Sequence, residues 1–328
     1  MTIIARSFFS VEITQPIGFH DGMFQRLEIR DRKLAETDDE NAPILLCTDP
    51  TEEERAFLID GVGIDRHTLA SSLDPNELGR VEFEPDHAAI IIKRPKQYCS
   101  EDNFFFKVSS VGIFVFRERL VFVVSEEGLR FEGKHFQQIR NLDDVMLKVI
   151  FRCVWHFEEH LNVFNMIAEE LEQKVNTSME NKHLLHMFTL EKSLVYYLNA
   201  IGSNGRVIER LKASVSRLRL TPEDCEFLDD LTIENSQCQE MAATYSQVLS
   251  GLVGARVSVV SNNLNVTMKR LMLVTIGLMV PTAIFSIFGM NVRLPVVEHS
   301  GASGFWMILA LAGASAGAVF VVSRWMKW

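Results

Sequence analysis

Cysteine is scarce in this sequence and forms no pairing or metal-binding motif. The chain has five cysteines in 328 residues, and none lies in a CxxC pair. We therefore expect reduced thiols rather than a disulfide framework or a zinc site. A phosphate-binding loop of the form GxxxxGK(S/T) is also absent, which argues against an ATP-driven pump. The apolar run at the N-terminus is too short for a signal peptide, so we expect later segments to direct any membrane insertion.

Basic charge is in deficit over most of the chain. The formal net charge is −10, and the segment before Lys269 carries 28 basic against 42 acidic residues. A nucleic-acid-binding surface needs an excess of lysine and arginine, so nucleic acid is not an expected partner. The length leaves room for about two folded units.

Two long uncharged runs lie near the C-terminus. No charged residue occurs between Arg270 and Arg293, and a second uncharged run covers residues 300–323. As helices, both are long enough to cross a hydrocarbon layer of about 30 Å. The sequence therefore predicts membrane spans at about 271–291 and 302–323.

Cations flank the two spans on the side that carries both chain ends. Lys269 and Arg270 precede the first span, whereas Arg324 and Lys327 follow the second. By the positive-inside tendency, this side is the cytoplasm. We expect a multi-pass protein of the inner (plasma) membrane with both termini in the cytoplasm.

The N-terminal part, residues 1–140, has the mixed pattern of a cytoplasmic α/β sheet domain. Short apolar stretches rich in β-branched and aromatic residues predict strands. Two segments that begin with acidic or polar residues predict short helices. The predicted helices are Thr51–Leu58 and Arg66–Leu73. The predicted strands are Ser7–Ile13, Ile44–Cys47, Ala88–Lys93, Phe104–Val111 and a hairpin, GIFVF and LVFVV, on either side of Arg117 and Glu118.

From Leu142 onward the pattern becomes helical. The run Ile201–Gly205, IGSNG, predicts a turn that folds the chain back, followed by a helix over residues 206–218. Thr221 and Pro222 mark a new helix start, and no proline follows until Pro281, so one helix is expected to continue into the first span. We divide this part into a helical hairpin and stalk, residues 141–268, and a pore domain, residues 269–328. The fold class is thus an α+β membrane protein.

One face of the first span is polar or thioether-bearing. Its members recur at alternating spacings of three and four residues, which places them on one side of a helix. Such a face suits a bundle of helices around water, although small residues also permit close packing of membrane helices. Asparagines lie at both ends of this face and favour the pore interpretation, because an amide side chain that only packs between helices in a membrane is energetically costly. The face consists of Asn265, Met268, Met272, Thr275, Met279, Thr282, Ser286 and Gly289, with Asn291 beyond it.

The first span ends in Gly289-Met290-Asn291, with a second span close behind it. In this position the tripeptide resembles the signature of the CorA family of divalent-cation channels. The resemblance implies a large cytoplasmic domain, a homopentameric pore in the lipid bilayer and inward flux of Mg2+ driven by the membrane potential. It implies a selectivity filter formed by the tripeptide, Asn291 above all. It also implies a pore lined at Thr282, Met279, Leu271, Met268 and Asn265, to which the polar face adds Thr275.

The sequence departs from the family pattern in the cytoplasmic domain, in the outer loop and in the stalk, where Gly254 aligns with a family acid. A family carboxylate that binds regulatory cytosolic magnesium matches Asp230, but its usual partner motif, Leu-Glu-Asp, is matched by Leu69-Ala70-Ser71, which has no acid. In the outer loop, Arg293 adds a positive charge beside the filter and the acid is displaced to Glu298. Asp230 is therefore the only regulatory ligand that the resemblance assigns, and gating by magnesium is in question.

Three alternatives remain open. For the CorA-type channel itself, Co2+ and Ni2+ are further candidate ions. The altered loop and missing acids leave room for a zinc transporter of the ZntB branch or for a non-conducting membrane scaffold. The third is a metallopeptidase, because His156, Glu159 and His160 fit H-x-x-E-H. We favour a solvated helix face for that motif. The sequence thus predicts no catalytic residue and no enzyme, and no cofactor beyond Mg2+ as cargo or regulator.

Overall fold

The computed structural model describes residues 24–97, 105–126, 128–129, 131, 136–177, 181–290 and 301–325. The chain divides into two compact units, one up to Val253 and one from Gly254 onward. The first unit contains a sheet with helices on both faces. The second contains two helices that are long and apolar enough to cross a membrane.

The sheet has seven strands in the order β2-β1-β3-β7-β6-β5-β4. β3 and β7 run parallel, and all the other neighbouring pairs are antiparallel. The central strands are almost wholly buried because they carry apolar side chains on both faces. The strands are β1 Gln25–Arg30, β2 Lys33–Glu36, β3 Ile44–Thr48, β4 Arg80–Phe83, β5 His87–Pro95, β6 Val108–Phe116 and β7 Leu120–Val124.

The predicted hairpin around Arg117 and Glu118 is confirmed as β6 and β7, closed by a hydrogen bond from the Phe116 N–H to the Arg119 carbonyl oxygen (2.9 Å). β6 also absorbs most of the separate strand predicted over residues 104–111. The predictions at β3 and β5 are confirmed, whereas β1, β2 and β4 were not predicted. The strand predicted at residues 7–13 lies outside the described residues.

Two short helices cover one face of the sheet. α1, Glu52–Ala56, continues into a π-helical turn, Phe57–Gly61, and α2 is Arg66–Leu73. Thr51 caps α1 through a reciprocal pair of bonds with Glu54, the Glu54 N–H to Thr51 Oγ1 and the Thr51 N–H to Glu54 Oε2. These helices pack on residues such as Leu45, Phe114 and Val121. Both predicted helix starts are confirmed.

The other face of the sheet packs against longer helices. They are α3 Leu142–Thr177, α4 Asn181–Lys212, the short α5 Val215–Leu218 and α6 Pro222–Phe288. α6 starts as predicted, because Thr221 and Asp224 form reciprocal capping bonds and Arg140 Nη2 lies 2.7 Å from Asp224 Oδ1. The final helix, α7, is Gly301–Trp325.

The predicted turn at residues 201–205 is wrong, because α4 passes through this segment without a break. Its small residues serve close packing instead. The Gly79 N–H donates to Ser203 Oγ (2.5 Å), and a methyl group on Gly205 would lie 3.0 Å from Asn235 Nδ2 of α6. Asn204 bonds to both backbone groups of Lys93, from Lys93 N–H to Oδ1 and from Nδ2 to Lys93 O, each at 2.8 Å. The segment therefore lets α4 approach both the sheet edge and α6.

Asn204→Ala tests this contact. β4 pairs with β5 only as far as Ile91, so the Asn204 amide takes the place of a strand partner at Lys93. Loss of both bonds leaves a buried N–H and C=O unsatisfied, and we expect a loss of about 2–4 kcal/mol of stability. Thermal unfolding of the purified protein measures this loss. Asn199→Ala, at an exposed position of the same helix, is the control, and equal destabilisation by the two variants would contradict the assignment.

Candidate functional site

The candidate site lies on the part of α6 that belongs to the second unit. From Leu271 to Phe288 this helix carries no charged residue. Pro281 lies inside it and lacks an N–H, which removes one bond of the helix ladder, the one to the Gly277 carbonyl. α7 supplies the second candidate span, Ser303–Trp325.

The predicted pore face is exposed along its whole length. Met279, for example, is 64% exposed, and Leu271 beside the row is 67% exposed. The described residues of a single chain therefore leave this face largely uncovered. The exposed row comprises Asn265, Met268, Met272, Thr275, Met279, Thr282, Ser286 and Gly289.

A different row of α6 is half-buried. It lies about 160° around the helix axis from the polar row, at 3.6 residues per turn. Its members are apolar or small: Leu273, Gly277, Val280, Ile284 and Phe288. The two sides of the span therefore differ both in chemistry and in what covers them.

α7 has a matching row of covered positions. They recur every three or four residues and are mostly small: Gly304, Ile308, Ala312, Ala316 and Val319. In the part of this unit that the structure describes, α7 is the only helix besides α6, so we infer that the two rows face each other. Small residues at facing positions allow membrane helices to approach each other. The half-buried side of α6 thus faces α7, and the polar row is left for another role.

The threonine hydroxyls of the polar row have a fixed donor direction. Thr275 Oγ1 donates to the Leu271 carbonyl oxygen (2.9 Å), and Thr282 Oγ1 donates to that of Leu278 (2.6 Å). Each hydroxyl has one proton and two lone pairs. Because each hydroxyl proton is bonded to the helix backbone, the lone pairs of both oxygens can accept hydrogen bonds on the exposed face.

Gly289 follows directly on the end of α6. Its N–H donates to the Phe285 carbonyl oxygen (2.9 Å), and a methyl group added here would lie only 3.1 Å from the same oxygen. The position therefore favours glycine. Met290 is 58% exposed. Asn291, Arg293 and Glu298, predicted at the filter and the outer loop, lie outside the described residues.

The predicted regulatory residue Asp230 is exposed on the part of α6 that belongs to the first unit. Its neighbour Asp229 is engaged by Lys212 (2.7 Å). At the positions of the family motif, Ala70 is exposed and Ser71 is buried. Among the residues that the structure describes, no three acid, histidine or cysteine side chains are grouped so that they could hold a metal ion.

The H-x-x-E-H segment lies in α3 and is not a solvated face, which corrects our prediction. His160 is 2% exposed, and its Nδ1 lies 2.7 Å from the Tyr197 hydroxyl. Burial lowers the pKa of His160 to about 4, and burial with the nearby His160 and Arg152 lowers that of His156 to about 2. Glu159 is turned to Arg152 (3.3 Å). The segment therefore belongs to the helical core: the rings of His156 and His160 meet with their centroids 4.6 Å apart, but Glu159 does not join them.

The sequence matches one known protein family over most of its length. The model of the family described as CorA-like Mg2+ transporter protein matches residues 43–324. This chain belongs to the CorA family. It is thus a CorA-like transporter of divalent cations, and it is not assigned to a class of enzymes.

Individual CorA relatives extend over most of the chain. The cobalt/magnesium transport protein CorA of Methanocaldococcus jannaschii is 28% identical over 276 residues, 81% of this chain and 84% of the relative. The complete structure of the CorA magnesium transporter from the same organism has a TM-score of 0.77 at 25% identity and covers 93% of this chain and 98% of its own. The ZntB cytoplasmic domain of Vibrio parahaemolyticus shares the fold at 14% identity, with a TM-score of 0.57 over 74% of this chain and 99% of its own.

Cysteine scanning of α6 tests which side meets water. In the assembled protein in membranes, we expect a water-soluble thiol reagent to modify Met279→Cys and Thr282→Cys well above the wild-type background. Val280→Cys and Ile284→Cys, on the covered row, should stay at background. Three of the five native cysteines contribute little to this background, because burial raises the pKa of Cys47, Cys153 and Cys238 to about 12. Equal labelling of both rows would contradict the assignment of a water-lined face.

Proposed function

We propose that this protein is a CorA-type channel for the inward flux of divalent cations, with Mg2+ as its principal ion. The observation that carries the proposal is the exposed row of oxygen and thioether groups on α6, opposite a half-buried row of apolar and small residues. A single chain provides one such row. Several copies would therefore surround one pathway, and we propose the pentamer that the family resemblance implies.

The chemistry of the row suits a hydrated magnesium ion. Mg2+ gives up its water shell reluctantly, so the side chains along a pathway for the hydrated ion meet the O–H donors of that shell. Thr275 and Thr282 offer oxygens whose own protons are already bonded to the helix. At the outer end, we propose that Asn291 supplies a ring of amide oxygens and that the Gly289 carbonyl and Met290 complete the filter. Met279, Leu271, Met268 and Asn265 would line the remaining pathway.

The membrane potential is sufficient to drive this flux. A single charge gains about 2.3 kcal/mol per 100 mV, so a divalent ion gains about 4.6 kcal/mol for entry into an inside-negative compartment. We place both termini in the cytoplasm of an inner (plasma) membrane protein, and we propose no resident cofactor. Arg293 would slow cation entry unless Glu298 pairs with it. Regulation through Asp230 would need carboxylates from a neighbouring copy.

Zinc transport is the second candidate. The fold shared with the ZntB cytoplasmic domain supports it only at the level of architecture. The absence of acids at Ala70 and Ser71 also favours a regulation that differs from that of magnesium channels. A non-conducting scaffold is the remaining candidate from another class.

Ion uptake into proteoliposomes tests the filter. With an internal magnesium dye and an inside-negative potential, we expect Mg2+ entry through the wild type and its loss in Asn291→Ala, because a ring of amide oxygens is removed. The same experiment with a zinc dye separates the candidates. Zinc entry alone would favour the ZntB type of function, whereas no flux of either ion through intact oligomers would favour the scaffold.

The hydroxyl of Thr282 provides a matched test of the pore face. Thr282→Val keeps the side-chain shape but removes the acceptor oxygen, and we expect Mg2+ flux to fall about two- to tenfold, the value of one net hydrogen bond. Thr282→Ser should retain flux. Thr267→Val is the control, since Thr267 makes the same bond to the helix backbone, to the Asn263 oxygen (2.9 Å), but lies off the polar row. An equal loss of Mg2+ flux in Thr267→Val would contradict the assignment of Thr282 to the pore face.

A further inference from the structure

Three cations lie at one end of the two spans. Lys269 and Arg270 are exposed on α6 directly before its uncharged run, and Arg324 is exposed near the end of α7. None of the three makes an ion pair with any residue that the structure describes. Their charges are therefore open to a partner from outside the chain.

The second unit offers these cations no carboxylate. Its described residues, 254–290 and 301–325, contain neither aspartate nor glutamate. Bases of the first unit, by contrast, have acidic partners: Lys212 Nζ lies 2.7 Å from Asp229 Oδ1, and Lys148 Nζ lies 2.9 Å from Asp144 Oδ2. The three charges at the end of the spans are thus not neutralised within their own described unit.

The covered rows of α6 and α7 place the three charges at one level. Because residues 289–300 alone join the two spans, the spans run antiparallel, and the facing rows then match Leu273 with Val319. Lys269 lies four residues before Leu273, and Arg324 lies five residues after Val319. At 1.5 Å per residue, they are about 6 and 8 Å beyond this pair, in the same direction. Like charges at one level repel each other, so an anion between them is favoured.

The cations of α6 lie away from the polar row. Lys269 and Arg270 precede Leu273 by four and three residues, which puts both on the side of the helix that carries Leu273 and faces α7. An anion bound to them would therefore lie beside the two helices and outside the proposed ion pathway.

The depth of these cations points to lipid phosphate as their partner. They lie where an uncharged run ends, and headgroup phosphates are concentrated at this boundary between hydrocarbon and water. Trp325, next to Arg324, is 87% exposed, and indole rings favour the same depth. A zwitterionic headgroup brings its own cation, whereas an anionic headgroup offers net negative charge.

We propose that Lys269, Arg270 and Arg324 form a binding site for the headgroup of an anionic phospholipid, at the end of the spans that we place in the cytoplasm. The phosphate diester would lie against α6 and α7 together. A guanidinium can bind a phosphate through two parallel hydrogen bonds, which suits Arg270 and Arg324 to this role. The site requires the two membrane spans but no ion flux, so its test is separate from that of the proposed function.

Fluorescence quenching by brominated lipids tests the site in the reconstituted full-length protein. In a Trp306→Phe background, Trp325 and Trp328 are the only tryptophans in or next to the spans. We expect brominated phosphatidylglycerol to bind beside them at least tenfold more tightly than brominated phosphatidylcholine. Arg324→Gln should lower this preference about fivefold, the equivalent of about 1 kcal/mol for one cation near a membrane surface. Replacement of all three cations by glutamine should make the two lipids bind equally.

Two further variants control for charge and position. Arg324→Lys keeps the charge and should retain most of the preference for phosphatidylglycerol. Arg256→Gln removes a charge from the same helix about 20 Å from Lys269, which is well beyond the screening length of about 8 Å, and should leave the preference unchanged. Unchanged elution of the oligomer verifies that each variant folds.

Four results would overturn the proposal. Equal binding of the two lipids by the background protein would indicate that carboxylates of another copy hold the cations. An equal loss in Arg256→Gln, or a preference that survives the removal of all three charges, would place the lipid elsewhere. Excess inorganic phosphate at constant ionic strength should not change the preference, and its loss under these conditions would assign the cations to a free anion.

Discussion

The structure depends on a constraint that lipid imposes on polar groups. A side-chain oxygen inside a hydrocarbon layer needs a hydrogen-bond partner or water, because an unsatisfied polar group there is costly. Within the first span, α6 places its hydroxyl and thioether groups on one side, whereas the opposite side is apolar or small and half-buried. Among the described residues, only that opposite side is partly covered. A single chain in a membrane therefore leaves the hydrogen-bonding groups on the polar side of α6 without partners. Water or further copies of the chain must supply these partners.

A second constraint acts at the edge of the sheet. β5 is longer than β4, so part of its backbone has no strand partner on that side. α4 meets this need with the Asn204 amide and approaches closely because Ser203 and two glycines flank it. The same gap in strand pairing opens a cavity of about 990 Å³ between the free end of β5 and α4. A mismatch in strand length thus accounts for both a buried polar contact and an open cavity.

Sequence alone predicted the features that depend on long or local patterns. The two spans follow from uncharged length, the start of α6 from Thr221 and Pro222, and the β6–β7 hairpin from two apolar runs around a polar turn. Contacts distant in sequence were missed. The IGSNG segment suits a turn as well as close helix packing, and only the sheet edge and α6 decide between them. His160 was assigned to solvent because charged residues surround it in sequence, although Tyr197 and Phe106 bury it. Asn291 of the filter and the outer loop lie outside the described residues, so their assignment still rests on the family resemblance.

Pro281 divides the first span into two mechanical segments. The missing bond to the Gly277 carbonyl makes this the weakest point of the helix, and both residues belong to the less exposed side. The segment before it carries Met272, Thr275 and Met279, whereas the segment after it carries Thr282 and Ser286. If the helix bends by a few degrees at the proline, Thr282 and Ser286 move together while the turns before the proline stay in place. In the proposed channel, the diameter of the outer part of the pathway would therefore be adjustable without any change of side-chain conformation.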